Sequence, residues 1–236
     1  MALEHEVRPN YLRPAAELAE RVLLPGDPGR ALGVAQVLLD TPPRMFNHAR
    51  GLWGYTGVAP DGEPLTVQAT GIGGPSAAIV CEELIALGAT RLVRIGTCGA
   101  LDPKVELGTL LAAASVLPAD GTSTALGADA PLEPDPKLLE RLVAAGARPA
   151  TIASSDLFYD TRDGAAAGWT ERGALAVEME AAAILQIAAR RAVSAACVLG
   201  VSDIPSSNGS RRMGPDELDQ LGVRVGEAGY AALRSP

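Results

Sequence analysis

The sequence predicts an α/β fold: one domain over residues 1–236, with a mixed, twisted β-sheet flanked by helices. Three observations predict it. Short apolar runs rich in β-branched residues alternate with longer Ala/Leu segments along the chain. No Pro/Gly/Ser-rich linker interrupts that alternation. Hydrophobic residues make up 47% but aromatic ones only 3%, so the core must be built from Ala, Val, Leu and Ile, which suits close packing of helices on a sheet.

Each element has its own signal. Arg21–Leu24 reads as a strand, followed by the loop PGDPGR and a helix over Ala31–Leu39. Leu52–Val58 and Leu65–Thr70 flank the turn sequence PDGE and read as a hairpin. A helix over Pro75–Leu87 has proline in its first turn and Gly88 just past its end, with Ser76 as a candidate cap. Arg91–Thr97 and Thr109–Val116 read as buried strands, and Ala119–Pro134, rich in small and turn residues, as a surface loop. Pro136–Ala145 is an amphipathic helix stopped by Gly146, and Thr151–Ser154 a short strand. Met179–Arg190 is apolar on nearly every side, which predicts a deeply buried helix. Cys197–Val201 gives another strand, and a helix over Pro215–Leu233 closes the chain.

Charge and cysteine content narrow the function. Twenty basic against 28 acidic residues give a net charge of −8, and no stretch concentrates Lys and Arg, which argues against a nucleic-acid surface. An acidic chain that binds an anion must do so with a few placed arginines and backbone amides. Cys81, Cys98 and Cys197 are scattered among apolar neighbours and read as reduced core thiols. The first residues hold no apolar signal core and no run is long enough to span a bilayer, so the expected location is the cytoplasm, with no membrane partner. His5 and His48 lie far apart in sequence, and no metal-ligand spacing appears.

Chemistry in α/β sheets gathers where strands end and helices begin, and five such junctions hold unusual residues. In LLPGDPGRA, Gly26 and Gly29 expose backbone amides beside Arg30; this is either an anion site or an ordinary turn with a surface arginine. It is not a P-loop, because no Gly-Lys-Ser/Thr follows. In ATGIGGPSAA three glycines permit close backbone approach, without dinucleotide-binding spacing. In RLVRIGTCGAL, Arg94 interrupts an apolar strand, where a lone guanidinium is costly; it needs a structural ion pair or an anionic ligand shared with Arg30. In AVEMEAAA, Glu178 and Glu180 stand two apart, on one side of an extended strand but not of a helix, so they belong at the entry to the helix. There a carboxylate suits the dipole and can accept hydroxyl hydrogen bonds. Asp203 ends the strand CVLGVSDI beside Ser202, as a cap or as a general acid.

In this order the segments LPGDPGRA, HARGLWGYTG, GIGGPS, RIGTCGA, ASSDLFY, AVEMEAA and GVSD resemble the nucleoside phosphorylase-I family, which includes hexameric purine nucleoside phosphorylases and uridine phosphorylases. The resemblance covers nearly the whole chain. It implies that family's fold, phosphorolysis of a nucleoside to free base and ribose 1-phosphate, inorganic phosphate as co-substrate, and no cofactor. It places Gly26, Arg30, Arg94 and Thr97 around phosphate, with Arg50 reaching the phosphate of a neighbouring subunit. Met179 and Glu180 hold the ribose, Glu180 taking its 2′- and 3′-hydroxyls. Asn10 stands where purine members have a histidine directed at a neighbour's 5′-hydroxyl. Cys98, Gly99, Phe158 and Val177 border the base, with Glu178 near the ribose or base. Asp203 protonates purine N7, helped by Arg211 or Arg212, and a homo-oligomer, a hexamer built as a trimer of dimers, follows from the shared residues.

Within the family a purine is the expected substrate. The stretch between ASSDLFY and AVEMEAA is short and lacks the insertion, with its glutamine and arginine, that reads a pyrimidine in uridine-specific members; those members also lack an acid at Asp203. GIGGPS, Thr97 and ASSD point instead to the uridine branch. A hydrolytic relative acting on 5′-thio-substituted adenosines has no need of Arg30 and Arg94, and a nucleoside-binding sensor has no need of Asp203.

Overall fold

In the computed structural model, which describes residues 7–40, 42–206 and 209–234, ten strands form one mixed sheet. They are β1 (Arg21–Leu24), β2 (Arg44–Asn47), β3 (Gly54–Val58), β4 (Pro64–Gln68), β5 (Arg91–Ala100), β6 (Leu110–Ala119), β7 (Arg148–Ser155), β8 (Ala174–Glu178), β9 (Ser194–Ser206) and β10 (Gly209–Arg212). The spatial order is β10-β9-β6-β7-β8-β5-β1-β4-β3-β2, and β9 also pairs with β5, so β5, β8, β7, β6 and β9 close a ring of pairings. The central β5 runs parallel to β1 and β9 and antiparallel to β8. The mixed α/β fold expected from the sequence is the one observed.

Helices cover both faces, which is why the central strands read as unbroken apolar runs rather than alternating ones. The helices are α1 (Pro28–Leu38), α2 (Gly74–Ala86), α3 (Gly121–Ala125), α4 (Pro136–Ala144), α5 (Ala165–Glu171), α6 (Ala181–Arg191) and α7 (Pro215–Leu233). Val22 and Leu24 of β1 pack with Val80 and Leu84 of α2 and Ile184 of α6, while Leu23, between them, packs with Val34 of α1 and Leu221 and Val225 of α7. The two-residue period of a strand thus serves two helical layers at once. None of the described helices is long and apolar enough to cross a membrane.

Several local expectations need correction. Ala119–Pro134 is not merely a surface loop: it contains α3, whose N-cap Asp120 accepts from Ser123 N at 2.7 Å, and both residues are buried. Ser76 does not cap α2. Gly73 holds the cap position at φ 91°, and the Ser76 hydroxyl donates to the Thr70 carbonyl at 2.6 Å. The buried helix starts at Ala181, two residues later than the apolar run, because Glu180 is its N-cap. β2, β8, β10 and α5 are elements the sequence reading lacked.

Candidate active site

The C-terminal end of β5, the β1–α1 loop, the β8–α6 junction and the end of β9 converge on one cavity of about 580 Å³. Its lining includes Gly26, Arg30, Arg94, Thr97, Cys98, Gly99, Phe158, Val177, Glu178, Met179, Glu180, Asp203 and Arg212. Asp27, Ile72, Ser155, Leu157, Tyr159, Ser202 and Ser210 also line it, and the sequence reading gave none of these a role. Ile72, between Gly71 and Gly73, and Ser155, in ASSD, sat in segments already marked by composition. Arg211 does not line it, and Asn10 and Arg50, expected to serve a neighbouring subunit, are exposed and outside this cavity.

At one end two guanidinium groups face the same space. The Asp27 side chain caps α1 by accepting from Arg30 N at 2.7 Å, which sets Arg30 in the first turn of the helix. Burial and then the positive charge of Arg94 lower the Arg30 pKa, against the raising effect of Asp27, Glu180 and Asp219. Arg94 is 3% exposed. Its Nε donates to Glu178 Oε2 at 2.8 Å, its Nη2 pairs with Glu180 Oε2, and its Nη1 is buried with no hydrogen-bond partner among the described residues. Burial disfavours its charge, but Glu180 and Glu178 overcome that and raise its pKa. Of the two explanations offered for Arg94, the ion pair is observed, and the partnerless Nη1 is a donor that an anion could use. A methyl group on Gly26 would lie 4.0 Å from Nη1, so the PGDP loop passes directly beside this donor.

The two glutamates have different surroundings. Glu178 ends β8, and both its oxygens are occupied: Oε2 accepts from Arg94 Nε, Glu180 N and Ala181 N, at 2.8, 2.8 and 2.9 Å, and Oε1 accepts from the Ser154 hydroxyl. It caps α6 and aims Arg94, so it has little capacity left for the base or ribose. Glu180 accepts from Gly73 N at 2.5 Å and, among the described residues, is otherwise held only by Arg94. Burial raises its pKa, Glu178 adds to this, and Arg94, the Gly73 N–H and Arg30 oppose it. All three cysteines are fully buried and unpaired, and burial raises each thiol pKa, to about 12 for Cys81. They are inert core groups, Cys98 included.

At the other end, a register shift in the β5–β9 pairing between Cys98 and Gly99 pairs Gly99 with Asp203. A bulge of this kind re-aims a side chain at the rim of a sheet. The Asp203 carboxylate consequently lies over Gly99, where a methyl group would stand 2.8 Å from Oδ1. The Ser202 hydroxyl is 3.0 Å from Asp203 Oδ2. β10 runs antiparallel to β9 with Arg212 opposite Asp203 and Arg211 opposite Ile204. Alternation then sends the two arginines to opposite faces. Arg212 Nε is 4.0 Å from Asp203 Oδ2, and its guanidinium sits 5.1 Å from the Phe158 ring centroid. Phe158 is 55% exposed at the mouth of the cavity, edge-on to Tyr159. No cluster of three or more His, Cys, Asp or Glu with metal-binding geometry occurs among the described residues.

Comparison with known proteins identifies the family and the fold. A purine nucleoside phosphorylase (DeoD-type) of Caldanaerobacter subterraneus subsp. tengcongensis is 38% identical over 200 residues, covering 79% of this chain and 84% of the relative. A guanosine phosphorylase of Halorubrum lacusprofundi is 32% identical over 235 residues, covering 96% and 95%. The crystal structure of a uridine phosphorylase from Vibrio fischeri superposes with a TM-score of 0.80 at 24% identity, covering 92% of this chain and 90% of that one, and so shares its fold. With the family description matching residues 20–233, from the start of β1 to the end of α7, the chain belongs to the phosphorylase superfamily.

Proposed function

We propose that the chain is a nucleoside phosphorylase that cleaves the N-glycosidic bond of purine ribo- or deoxyribonucleosides with inorganic phosphate. The observation that carries this reading is the polarity of this cavity. A buried guanidinium donor without a hydrogen-bond partner among the described residues lies beside the PGDP loop at one end, with Glu180 paired to the same arginine, a carboxylate and an arginine lie at the other, and Met179 lines the same cavity. Phosphate sits against Arg94 Nη1, Arg30, Thr97 and the amides near Gly26. Arg94 alone does not make an anion site, since two glutamates share it; Arg30 supplies the second charge.

The chemistry follows from where charge develops. As the C1′–N9 bond breaks, its electron pair leaves with the base and positive charge grows on the ribose. The phosphate oxygen beneath stabilises that charge and forms the new C1′–O bond. Asp203 delivers its proton to N7, so a neutral base departs and an aspartate remains. Arg212, rather than Arg211, is the arginine placed to support that transfer. Glu180 accepts from the ribose hydroxyls, and Glu178 is a positioning residue. Phe158, with Cys98, Gly99 and Val177, borders the base. The reaction requires no metal or organic cofactor.

Purine preference is supported by Asp203 lining the cavity and by relatives named for purine nucleosides and guanosine. Asn10 and Arg50 would serve a neighbouring copy, in a homo-oligomer of the hexameric kind, and the cytoplasm is the proposed location. The test is release of free base from inosine, guanosine, adenosine, 5′-methylthioadenosine and uridine, each with and without phosphate. Hypoxanthine or guanine release that depends on phosphate supports the reading. Turnover unchanged in phosphate-free buffer overturns it, and preference for uridine moves the chain to the pyrimidine branch.

A further inference from the structure

The segment before β1 is fixed by a carboxylate from elsewhere in the fold. Glu83, on α2 and 4% exposed, accepts three successive backbone N–H groups. Asn10 N (2.9 Å) and Tyr11 N (3.0 Å) donate to Oε1, and Leu12 N (2.6 Å) donates to Oε2. Such charge-assisted bonds are strong, and a carboxylate buried this deeply is retained only with donors of this kind. Fully buried Asn47 ties the same segment to the next turn: its Oδ1 accepts from Arg13 N at 2.9 Å and Ala49 N at 3.3 Å, and its Nδ2 donates to the Leu52 carbonyl at 2.6 Å. Within that turn Arg50 is held at φ 58°, in the left-handed region that residues with side chains rarely adopt. Its guanidinium lies 5.0 Å from the Tyr11 ring centroid, a cation–π contact.

Asn10, Tyr11 and Arg50 therefore form one ledge, anchored at both ends by buried side chains, with all three residues exposed. Leu12 is a core residue, which explains why the segment is anchored there, but core packing does not explain why Asn10, Tyr11 and Arg50 are held exposed beside it. Preorganisation for another molecule does. Apolar side chains are exposed on the elements around it too: Tyr11, Met45 and Trp53 are about two-fifths exposed, at 39%, 39% and 41%. The same helix that carries Glu83 begins where Gly73 N donates to Glu180, so α2 braces the sugar acceptor of its own cavity at one end and the ledge toward the other.

We propose that Glu83 is a positioning residue that acts in trans, holding the Asn10–Tyr11–Arg50 ledge in register for the cavity of a second copy of this chain. The proposal rests on the nucleoside phosphorylase reading, in which Asn10 and Arg50 reach a neighbour's sugar and phosphate. Hybrid oligomers of the full-length protein test it. Glu83→Gln and Asp203→Asn subunits with different tags are co-expressed, and oligomers bearing both tags are purified. Glu83→Gln alone is expected to lower kcat/KM for inosine and phosphate about 10- to 100-fold, the order expected when a positioning contact slips by about 1 Å. Asp203→Asn alone loses about 10²–10⁴-fold in turnover. Hybrids regain wild-type kcat/KM at sites where a subunit's own Asp203 meets a neighbour's intact ledge.

A Glu83→Gln defect that stays with the subunit carrying it leaves hybrids as poor as their parents and overturns the proposal. So does a Glu83→Gln enzyme with wild-type kcat/KM. Tyr11→Ala removes the exposed ring under Arg50 without touching a buried charge. Paired with Asp203→Asn it gives the same two outcomes and decides the matter where Glu83→Gln does not fold. An Asp203→Asn parent with wild-type turnover overturns the acid role of Asp203, whereas wild-type turnover unchanged without phosphate overturns the phosphorylase reading itself, and the proposal with it.

Discussion

Replacing Glu178 tests whether its carboxylate is a structural clamp on the anion site or a contact to the substrate. Its side chain is 1% exposed and shares four donors: Arg94 Nε, Glu180 N, Ala181 N and the Ser154 hydroxyl. Glu178→Ala strands one charged and two backbone N–H groups in the core. Removing one partner of a buried ion pair costs about 3–5 kcal/mol. In a domain of this size 1 kcal/mol moves Tm by about 2–4 °C, so Tm should fall by about 6–20 °C. Glu178→Gln keeps an acceptor where Oε2 stood, and its amide can donate to Ser154 Oγ, so only the charge assistance is lost, on the order of 1 kcal/mol. Thermal unfolding followed by circular dichroism gives the stability arm, and KM for phosphate at saturating inosine gives the site arm. Alanine should raise the phosphate KM sharply, because Arg94 loses the bond that aims its free Nη1, and glutamine should raise it modestly. A Glu178→Ala protein within about 2 °C of wild type, with an unaltered phosphate KM, refutes the clamp.

Two further predictions use the Asp203 end of the cavity and the Glu180 carboxylate. Arg212→Ala should lower kcat for inosine while Arg211→Ala stays close to wild type, because only Arg212 is registered opposite Asp203; the reverse order would show that the β9–β10 pairing differs in solution. Glu180 has a pKa raised by burial, so it keeps its proton to higher pH than an exposed glutamate, and the neutral form is a poorer acceptor for ribose hydroxyls. Inosine affinity measured by calorimetry in phosphate-free buffer should therefore weaken as pH falls, beginning above the ordinary glutamate range near 4.5. Glu180→Gln should bind weakly with no such slope; an unchanged slope would assign the proton to another group.

Much of this site was legible in the sequence because its residues break local rules. Arg94 interrupts a strand that is apolar on both faces, and Glu178 and Glu180 bracket a methionine at the head of an alanine-rich helix, so each announced a partner. The partners themselves were not legible. Glu178 looked like a ligand for the base because one cannot see from sequence that β8 ends on it and turns two backbone amides back onto its carboxylate. β8 itself, ALAVE, lies between a helix and a helix and has little to mark it as a strand. The choice between Arg211 and Arg212 depended on hairpin register, which is set by pairing and not by composition. Glu83 passed unnoticed for the opposite reason: a glutamate beside Glu82 in an amphipathic helix looks solvated, and only the chain arriving from 71 to 73 positions away shows otherwise.

One strand sets the dimensions of the cavity. The Arg94 guanidinium folds back over Gly96, where a methyl group would stand 2.9 Å from Nη2, and the Asp203 carboxylate rests over Gly99. Anion end and acid end are thus gauged by three steps of the same backbone, roughly 10 Å at about 3.3 Å per residue. A span set by β5 and its register with β9 does not depend on the rim loops. Broadening this enzyme toward bulkier bases should accordingly succeed through Leu157, Phe158 and Tyr159, which are exposed where they line the cavity, while changes along β5 alter the gauge itself and forfeit phosphate and base together.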